Sequence, residues 1–357
     1  MLLEKLTKYF SKIEESLVKN ILWVVESMMR SGSANTSQIA LALSQLKQKS
    51  FKTSDMEVYR LLSNPKFEVG GLLWRCYVKL IFALLKERKK LKKGDKVYLQ
   101  IDFTSERDNM LILVASVLFS SKAIPIYFSI RNYPKKKGQY DQKSMELAFI
   151  RALRHNLSNQ YNYIILADRG FGNARFIKIC ETEGFNYLIR LEPNLKINHK
   201  GQVGIMSTLL KQNGRFEVDI LAWNKTVILF RNQLKGQVWF IVTNLLDINQ
   251  QTGINSYAYR FRIEKFFQDL KSSGFNLERT KIKKHTRFKR LFFLCCLAYS
   301  LLLLLGDLIE EKHPDLKKKL TSFYKPVHSL FQLARRSIAY YTRRSYRIFS
   351  ELIYMII

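Results

Sequence analysis

Apolar residues recur at helical spacing through residues 1–92. Leu17, Ile21, Val24, Val25, Met28 and Met29 fall three or four apart, and Ser31-Gly32-Ser33 ends that run. The pattern resumes over Thr36 to Lys47 with Ile39, Leu43 and Leu46, and Thr36 or Ser37 is the expected N-cap. A second break and cap are expected at Thr53-Ser54-Asp55, before Val58, Leu61 and Leu62. Beyond the basic segment Glu87 to Asp95 (ERKKLKKGD) the period changes. Lys96–Phe103 (KVYLQIDF), Leu111–Phe119 and Ala123–Ile130 read as strands, and Ser144–Asn156 as a helix. Tyr163–Ala167 is a short strand closed by Asp168-Arg169-Gly170-Phe171-Gly172, and Ala174–Glu183 is helical. Strand-like runs follow at Tyr187–Leu191, Phe216–Ala222, Thr226–Arg231 and Val238–Thr243, before a long helix starting near Ile254. The pattern predicts an α/β fold: a helical domain over 1–92, a core over 95–306 with a β-rich insertion at about 187–245, and a basic helical tail over 307–357.

One stretch raises the question of a membrane. Leu291 to Gly306 (LFFLCCLAYSLLLLLG) is almost wholly apolar and is followed by Asp307, Glu310 and Glu311. A span needs about 20 apolar residues, and shorter runs are more often buried. The preferred reading is a core helix packed on the main sheet, with no membrane partner.

Composition narrows the class of partner. The 357 residues carry 60 Lys+Arg against 29 Asp+Glu, a formal net charge of +31, and 47% are hydrophobic. That is too apolar for a disordered basic tail, so the chain folds and wears its charge outside. Such a surface suits polyanions, nucleic acid above all, and argues against small uncharged metabolites as main substrates. The four cysteines (Cys76, Cys180, Cys295, Cys296) show neither a disulfide framework nor zinc spacing, so a reducing cytoplasm or nucleoid is expected. The start MLLEKLTKYFSKIEESL mixes charge among its apolar residues, and no signal peptide is expected there.

Candidate chemistry lies at two strand ends and on one helix. Asp102 closes KVYLQID and Asp168 closes YIILAD. Ligands gather at strand ends in open α/β sheets, although an aspartate beside a Gly-rich loop also commonly caps a turn. In Tyr257–Lys271 (YAYRFRIEKFFQDLK), an ideal helix puts Tyr257, Arg260, Glu264 and Lys271 at roughly 0°, 300°, 340° and 320°. They share one face, with Ile263, Phe266 and Leu270 on the other. The alternative is a solvated stripe with one intrahelical ion pair, worth a few tenths of a kcal/mol. Three carboxylates in a strongly basic protein would repel one another and any phosphate unless divalent cations lay between them. Oxygen donors suit Mg²⁺ or Mn²⁺, and two such ions about 4 Å apart support in-line attack at phosphorus.

The spacing Tyr-x2-Arg-x3-Glu-x6-Lys, met by Tyr257, Arg260, Glu264 and Lys271, resembles the YREK signature of DDE transposases of insertion-sequence family four. The resemblance extends to Asp102 in IDFTS, to Asp168 in LADRGFG, to the β-rich insertion and to the following apolar helix, about residues 95–305. It implies a ribonuclease-H-like mixed-sheet core with Asp102, Asp168 and Glu264 as the metal-binding triad. It implies that Tyr257, Arg260 and Lys271 contact the phosphate backbone at the element's end. In relatives with a β insertion a tryptophan from it stacks on a flipped base; Trp239 is the candidate, with ordinary burial as the alternative. Arg169 is a further candidate for holding DNA. The family's first motif often has a polar or small residue where Phe103 stands, which leaves the aspartate intact.

The leading expectation is a cut-and-paste transposase. It binds double-stranded DNA at terminal inverted repeats, frees a 3′-hydroxyl and joins it to target DNA with Mg²⁺ or Mn²⁺, often through a hairpin intermediate, as a homodimer that uses the 307–357 tail. The alternatives are a non-catalytic DNA-binding remnant or repressor, and a structure-specific nuclease on the same core.

Overall fold

The computed structural model describes residues 8–89, 91–106, 110–120, 122–132, 142–234, 236–272, 274–321 and 329–342. The early sequence folds into four helices: α1 (Glu15–Ser31), α2 (Thr36–Lys47), α3 (Phe51–Ser63) and α4 (Gly71–Lys89). Gly32 ends α1 in the left-handed region at φ +59°, as the Ser-Gly-Ser break suggests. The caps fall slightly upstream of their expected positions. Asn35, not Thr36 or Ser37, receives the amides of Ser37 and Gln38, and Ser50 receives that of Thr53. Thr53, Ser54 and Asp55 therefore lie inside the first turns of α3 rather than before it.

Ten strands form one mixed sheet in the order β3-β2-β1-β4-β5-β10-β9-β8-β6-β7. They are β1 (Lys96–Glu106), β2 (Met110–Phe119), β3 (Lys122–Asn132), β4 (Asn162–Ala167), β5 (Asn186–Arg190), β6 (Lys196–His199), β7 (Gln202–Ile205), β8 (Gly214–Ile220), β9 (Lys225–Leu234) and β10 (Gln237–Thr243). β1 pairs antiparallel with β2 and parallel with β4, and β4 pairs parallel with β5. The central strands are almost continuously apolar because helices α5 (Gln142–Asn156) and α6 (Ala174–Thr182) accompany the crossovers. The β-rich insertion does not form a separate body. β10 adds antiparallel to β5, and β9, β8, β6 and β7 extend the same sheet, so β5 gains a neighbour instead of an open edge. β5 itself, counted from sequence at the start of the insertion, is a core strand parallel to β4.

After the short α7 (Met206–Leu209), the helices are α8 (Gln250–Tyr257), α9 (Arg262–Lys271), α10 (His285–Lys312), α11 (Pro314–Leu320) and α12 (Leu330–Thr342). Packing divides the chain into two units: residues 1–90, 124–126 and 265–357, and residues 91–123 and 127–264. Residues 265–306, grouped from sequence with the core, thus pack with the N-terminal helices and the tail. Residues 322–328 and 343–357 of that tail lie outside the described residues.

The Leu-rich run lies in α10. It is long and apolar enough to cross a membrane, but 94% of its most apolar window is buried. Within its unit it packs on α1, α3, α11 and α12. Phe293 meets Phe67, Trp74 and Tyr77 edge-to-face at 6.0, 5.5 and 5.6 Å. Gly306 lets the backbone of Leu330 pass, since a Cβ there would lie 2.0 Å from the Leu330 carbonyl oxygen. Arg88 of α4 donates through Nε and Nη2 to Asp307 at 2.9 and 2.8 Å.

Candidate active site

The parallel ladder between β1 and β4 ends at Ile101↔Ala167. The next residue on each strand is an aspartate, so the register alone makes Asp102 and Asp168 neighbours. Asp102 does not end its strand, as the sequence suggested. β1 runs on to Glu106, paired only with β2, and Asp102 stands opposite Val114. β4 stops at Ala167, and its chain turns through a 3-10 segment, Arg169–Phe171, that Asp168 caps by accepting the Gly170 amide at 3.0 Å. Gly172 closes this turn against the β5 end: a Cβ there would lie 2.6 Å from the Arg190 carbonyl oxygen. Asp168 therefore caps a turn at the point where the register brings it beside Asp102.

The third carboxylate arrives through Arg260. Its Nη1 lies 3.2 Å from Asp102 Oδ2, and its Nη2 donates to Glu264 Oε1. Arg260 is buried, with its side chain 8% exposed, while that of Glu264 is 55% exposed. Its Nε is buried without a hydrogen-bond partner, and its guanidinium sits 4.4 Å over the Phe261 ring. Asp102 is mostly enclosed, and its carboxyl is pushed up to about 6. Burial is the main cause; Arg260 and the Phe103 amide oppose it, and the charges of Asp168 and Glu264 add to it. The three acids thus share one electrostatic site.

The single helix expected from Tyr257 to Lys271 is interrupted. α8 ends at Tyr257, Ala258–Phe261 is 3-10, and α9 begins at Arg262. At about 120° per residue, four 3-10 residues move Tyr257 roughly 80° off the stripe. Arg260 and Glu264 remain together, but Tyr257 is buried (1% exposed) in an apolar cluster with Ile164, Leu166, Leu188 and Trp239. Burial pushes its phenol up. Trp239 is also closed off, 8% exposed, with its ring 5.7 Å from Tyr257 and 5.6 Å from Phe261. Its Nε1 has no hydrogen-bond partner, and Arg190 lies 5.6 Å over the ring. Arg169 is exposed and faces Glu192 at 3.4 Å, while Lys271 closes α9. Sequence reasoning missed Phe103 and Phe171, whose rings stack at 5.3 Å and 6° beside the two aspartates.

Among the described residues, no three His, Cys, Asp or Glu side chains form a closed metal-binding group. The donor chemistry nonetheless fits a hard divalent cation. All three acids offer oxygen alone, the charges of Asp168 and Glu264 oppose ionisation of Asp102, and a buried guanidinium stands between Asp102 and Glu264 as the compensating positive charge.

Residues 134–301 match the family model of the transposase DDE domain, somewhat less than half of the chain. The matched segment holds Asp168, Glu264 and Arg260 and begins after Asp102. No curated protein matches the chain. Among solved structures, Ciona intestinalis endonuclease V, in complex with a 24mer DNA containing an inosine followed by a ribo-adenosine, is similar at 11% identity. The likeness covers 50% of this chain and 86% of that one, with a TM-score of 0.26. Bacillus subtilis endonuclease V is similar at 10% identity over 53% and 81% of the two chains, with a TM-score of 0.25. The domain match indicates an enzyme of the DDE nuclease and transposase type.

Proposed function

From the premise of a DDE-type enzyme, we propose that this chain is an insertion-sequence transposase of family four, YREK group. In this reading it cuts DNA at terminal inverted repeats and transfers the freed end to a target. The observation that carries the proposal is the register that abuts Asp102 and Asp168 where the β1–β4 ladder ends, with Glu264 joined to Asp102 through Arg260. The strand arrangement supports a ribonuclease-H-like core: β3, β2 and β1 antiparallel, then β4 and β5 parallel to β1.

Asp102, Asp168 and Glu264 would hold the divalent cations, Mg²⁺ or Mn²⁺. Such ions lower the pKa of bound water and neutralise charge on the attacked phosphate. Two displacements at phosphorus use this one site. In the first, a water oxygen bonds to phosphorus and the 3′ oxygen leaves, taking up a proton as a 3′-hydroxyl. In the second, that hydroxyl loses its proton and attacks a target phosphodiester, whose own 3′ oxygen leaves. Arg260 has the donor geometry for a bidentate grip on a phosphate once it lets go of the carboxylates. Arg169 adds positive charge for the flanking backbone. Tyr257 and Trp239 act from behind, packing the segment that carries Arg260.

The N-terminal helices supply the grip on the element's end. α3 exposes Phe51, Met56 and Tyr59 beside Lys52 and Arg60, and Arg287 lies 4.3 Å over the Tyr59 ring. The 307–357 tail is assigned to contact between two copies, since both element ends are held together.

The test is strand cleavage and joining on a labelled duplex carrying the element's own end, in Mg²⁺ or Mn²⁺. Asp102→Ala, Asp168→Ala and Glu264→Ala should each lose activity by on the order of a thousandfold or more while keeping duplex binding. A folded wild type that binds the end but never cuts it would reassign the chain as a DNA-binding remnant. Cutting without joining would reassign it as a nuclease.

A further inference from the structure

Beyond Ile101 and Ala167 no ladder hydrogen bond joins β1 to the β4 side, yet both candidate metal-binding aspartates lie just past that point. Something else must hold their separation. On β1, Asp102 accepts the Phe103 amide at 2.8 Å, which fixes its own rotamer but does not reach Asp168. On the β4 side, Asp168 is held by the 3-10 turn and by the fit of Gly172 against Arg190. The 3-10 segment Ala258–Phe261 packs on both strands, and one side-chain contact that crosses the gap directly is aromatic. Phe103 follows Asp102, and Phe171 ends the turn that Asp168 caps; their rings are parallel within 6° at 5.3 Å. Phe171 is 1% exposed and rests in turn on Phe176 of α6 at 5.0 Å. Successive strand residues face opposite sides of a sheet, so the stack lies beneath the face on which Asp102 meets Arg260.

We propose that Phe103 is a positioning residue: through its stack on Phe171 it sets the spacing of Asp102 and Asp168 and so tunes the affinity of the site for a divalent cation. The inference rests on the reading of these aspartates as cation ligands. Offset parallel rings resist both lateral slip and separation, whereas an aliphatic side chain of similar bulk fills space without fixing an angle. The expected consequence of losing the stack is a looser pair of carboxylates, not a missing one.

The test is Mn²⁺ titration of the full chain without DNA, read by calorimetry or by loss of the free-ion EPR signal. Wild type, Phe103→Leu, Phe103→Met, Phe103→Tyr and Asp102→Asn are compared, with thermal melts to establish folding. Phe103→Leu and Phe103→Met should weaken Mn²⁺ binding by about tenfold, the range found for residues that orient metal ligands. Phe103→Tyr should stay within about twofold of wild type, because it keeps the ring. The Mn²⁺ concentration for half-maximal cleavage should rise in parallel, which a merely structural role would not produce. Wild-type affinity in folded Phe103→Leu and Phe103→Met, beside a weakened Asp102→Asn, would overturn the positioning role alone. Unchanged affinity in Asp102→Asn would overturn the cation site and this inference with it.

Discussion

The Arg88–Asp307 pair at the C-terminal end of α10 and the acidic site treat a buried charge in opposite ways. At that end of α10 the charges are matched, although nearer its start Arg287 Nε is buried without a hydrogen-bond partner. Arg88 meets Asp307 with two hydrogen bonds, the Tyr77 hydroxyl donates to the Pro125 carbonyl, and Ser300 donates to the Cys296 carbonyl. At the acidic site a carboxyl is buried at the cost of its ionisation, and Arg260 Nε and Trp239 Nε1 have no partner. Nothing about stability requires Asp102, Asp168 and Glu264 to share one place. Converging carboxylates whose burial opposes ionisation are the pattern expected of a site kept for chemistry.

Three changes test that contrast, from the largest effect to the smallest. Leu303→Ala empties part of a fully buried position in α10 and should cost about 3 kcal/mol in chemical denaturation. Arg88→Ala removes two hydrogen bonds from the enclosed Asp307 carboxylate and should cost about 2 kcal/mol by the same measurement. Asp102→Asn should do the reverse and stabilise the metal-free protein, by about 1 kcal/mol at pH 8. The sign follows from a folded-state pKa of about 6 against an ordinary 3.8. Above pH 6 the wild type carries the buried charge. As pH falls from 6 towards 4 the folded state takes up a proton that the unfolded chain does not, and that penalty disappears. The stabilisation by Asn should therefore shrink over this window, and stability curves at pH 8 and pH 4.5 check it. A destabilised Asp102→Asn would place the acidic site among the structural ion pairs and dissolve the contrast.

The sequence made much of this legible, and its failures have physical causes. The strands from β1 to β5 and from β8 to β10 stand out as apolar runs between turn residues. β6 (KINH) and β7 (QVGI) do not, because four residues at a sheet edge carry too little burial to leave a pattern. Asp168 was visible as a strand-end acid and Arg260 and Glu264 as helical neighbours, while Asp102 was singled out for a strand end that in fact lies four residues further on, at Glu106. The place of Tyr257 relative to Arg260 and Glu264 was not legible, because the 3-10 turn Ala258–Phe261 shifts the phase that an ideal helix assumes. The Phe103–Phe171 stack was invisible for another reason: it joins distant residues that only the parallel register brings side by side.

The most direct measurement is anomalous diffraction from crystals soaked in Mn²⁺. The account expects anomalous density bounded by Asp102, Asp168 and Glu264, with the Arg260 guanidinium displaced from between Asp102 and Glu264. Crystals that show Mn²⁺ elsewhere or nowhere, with Arg260 still bridging the two carboxylates, would contradict it.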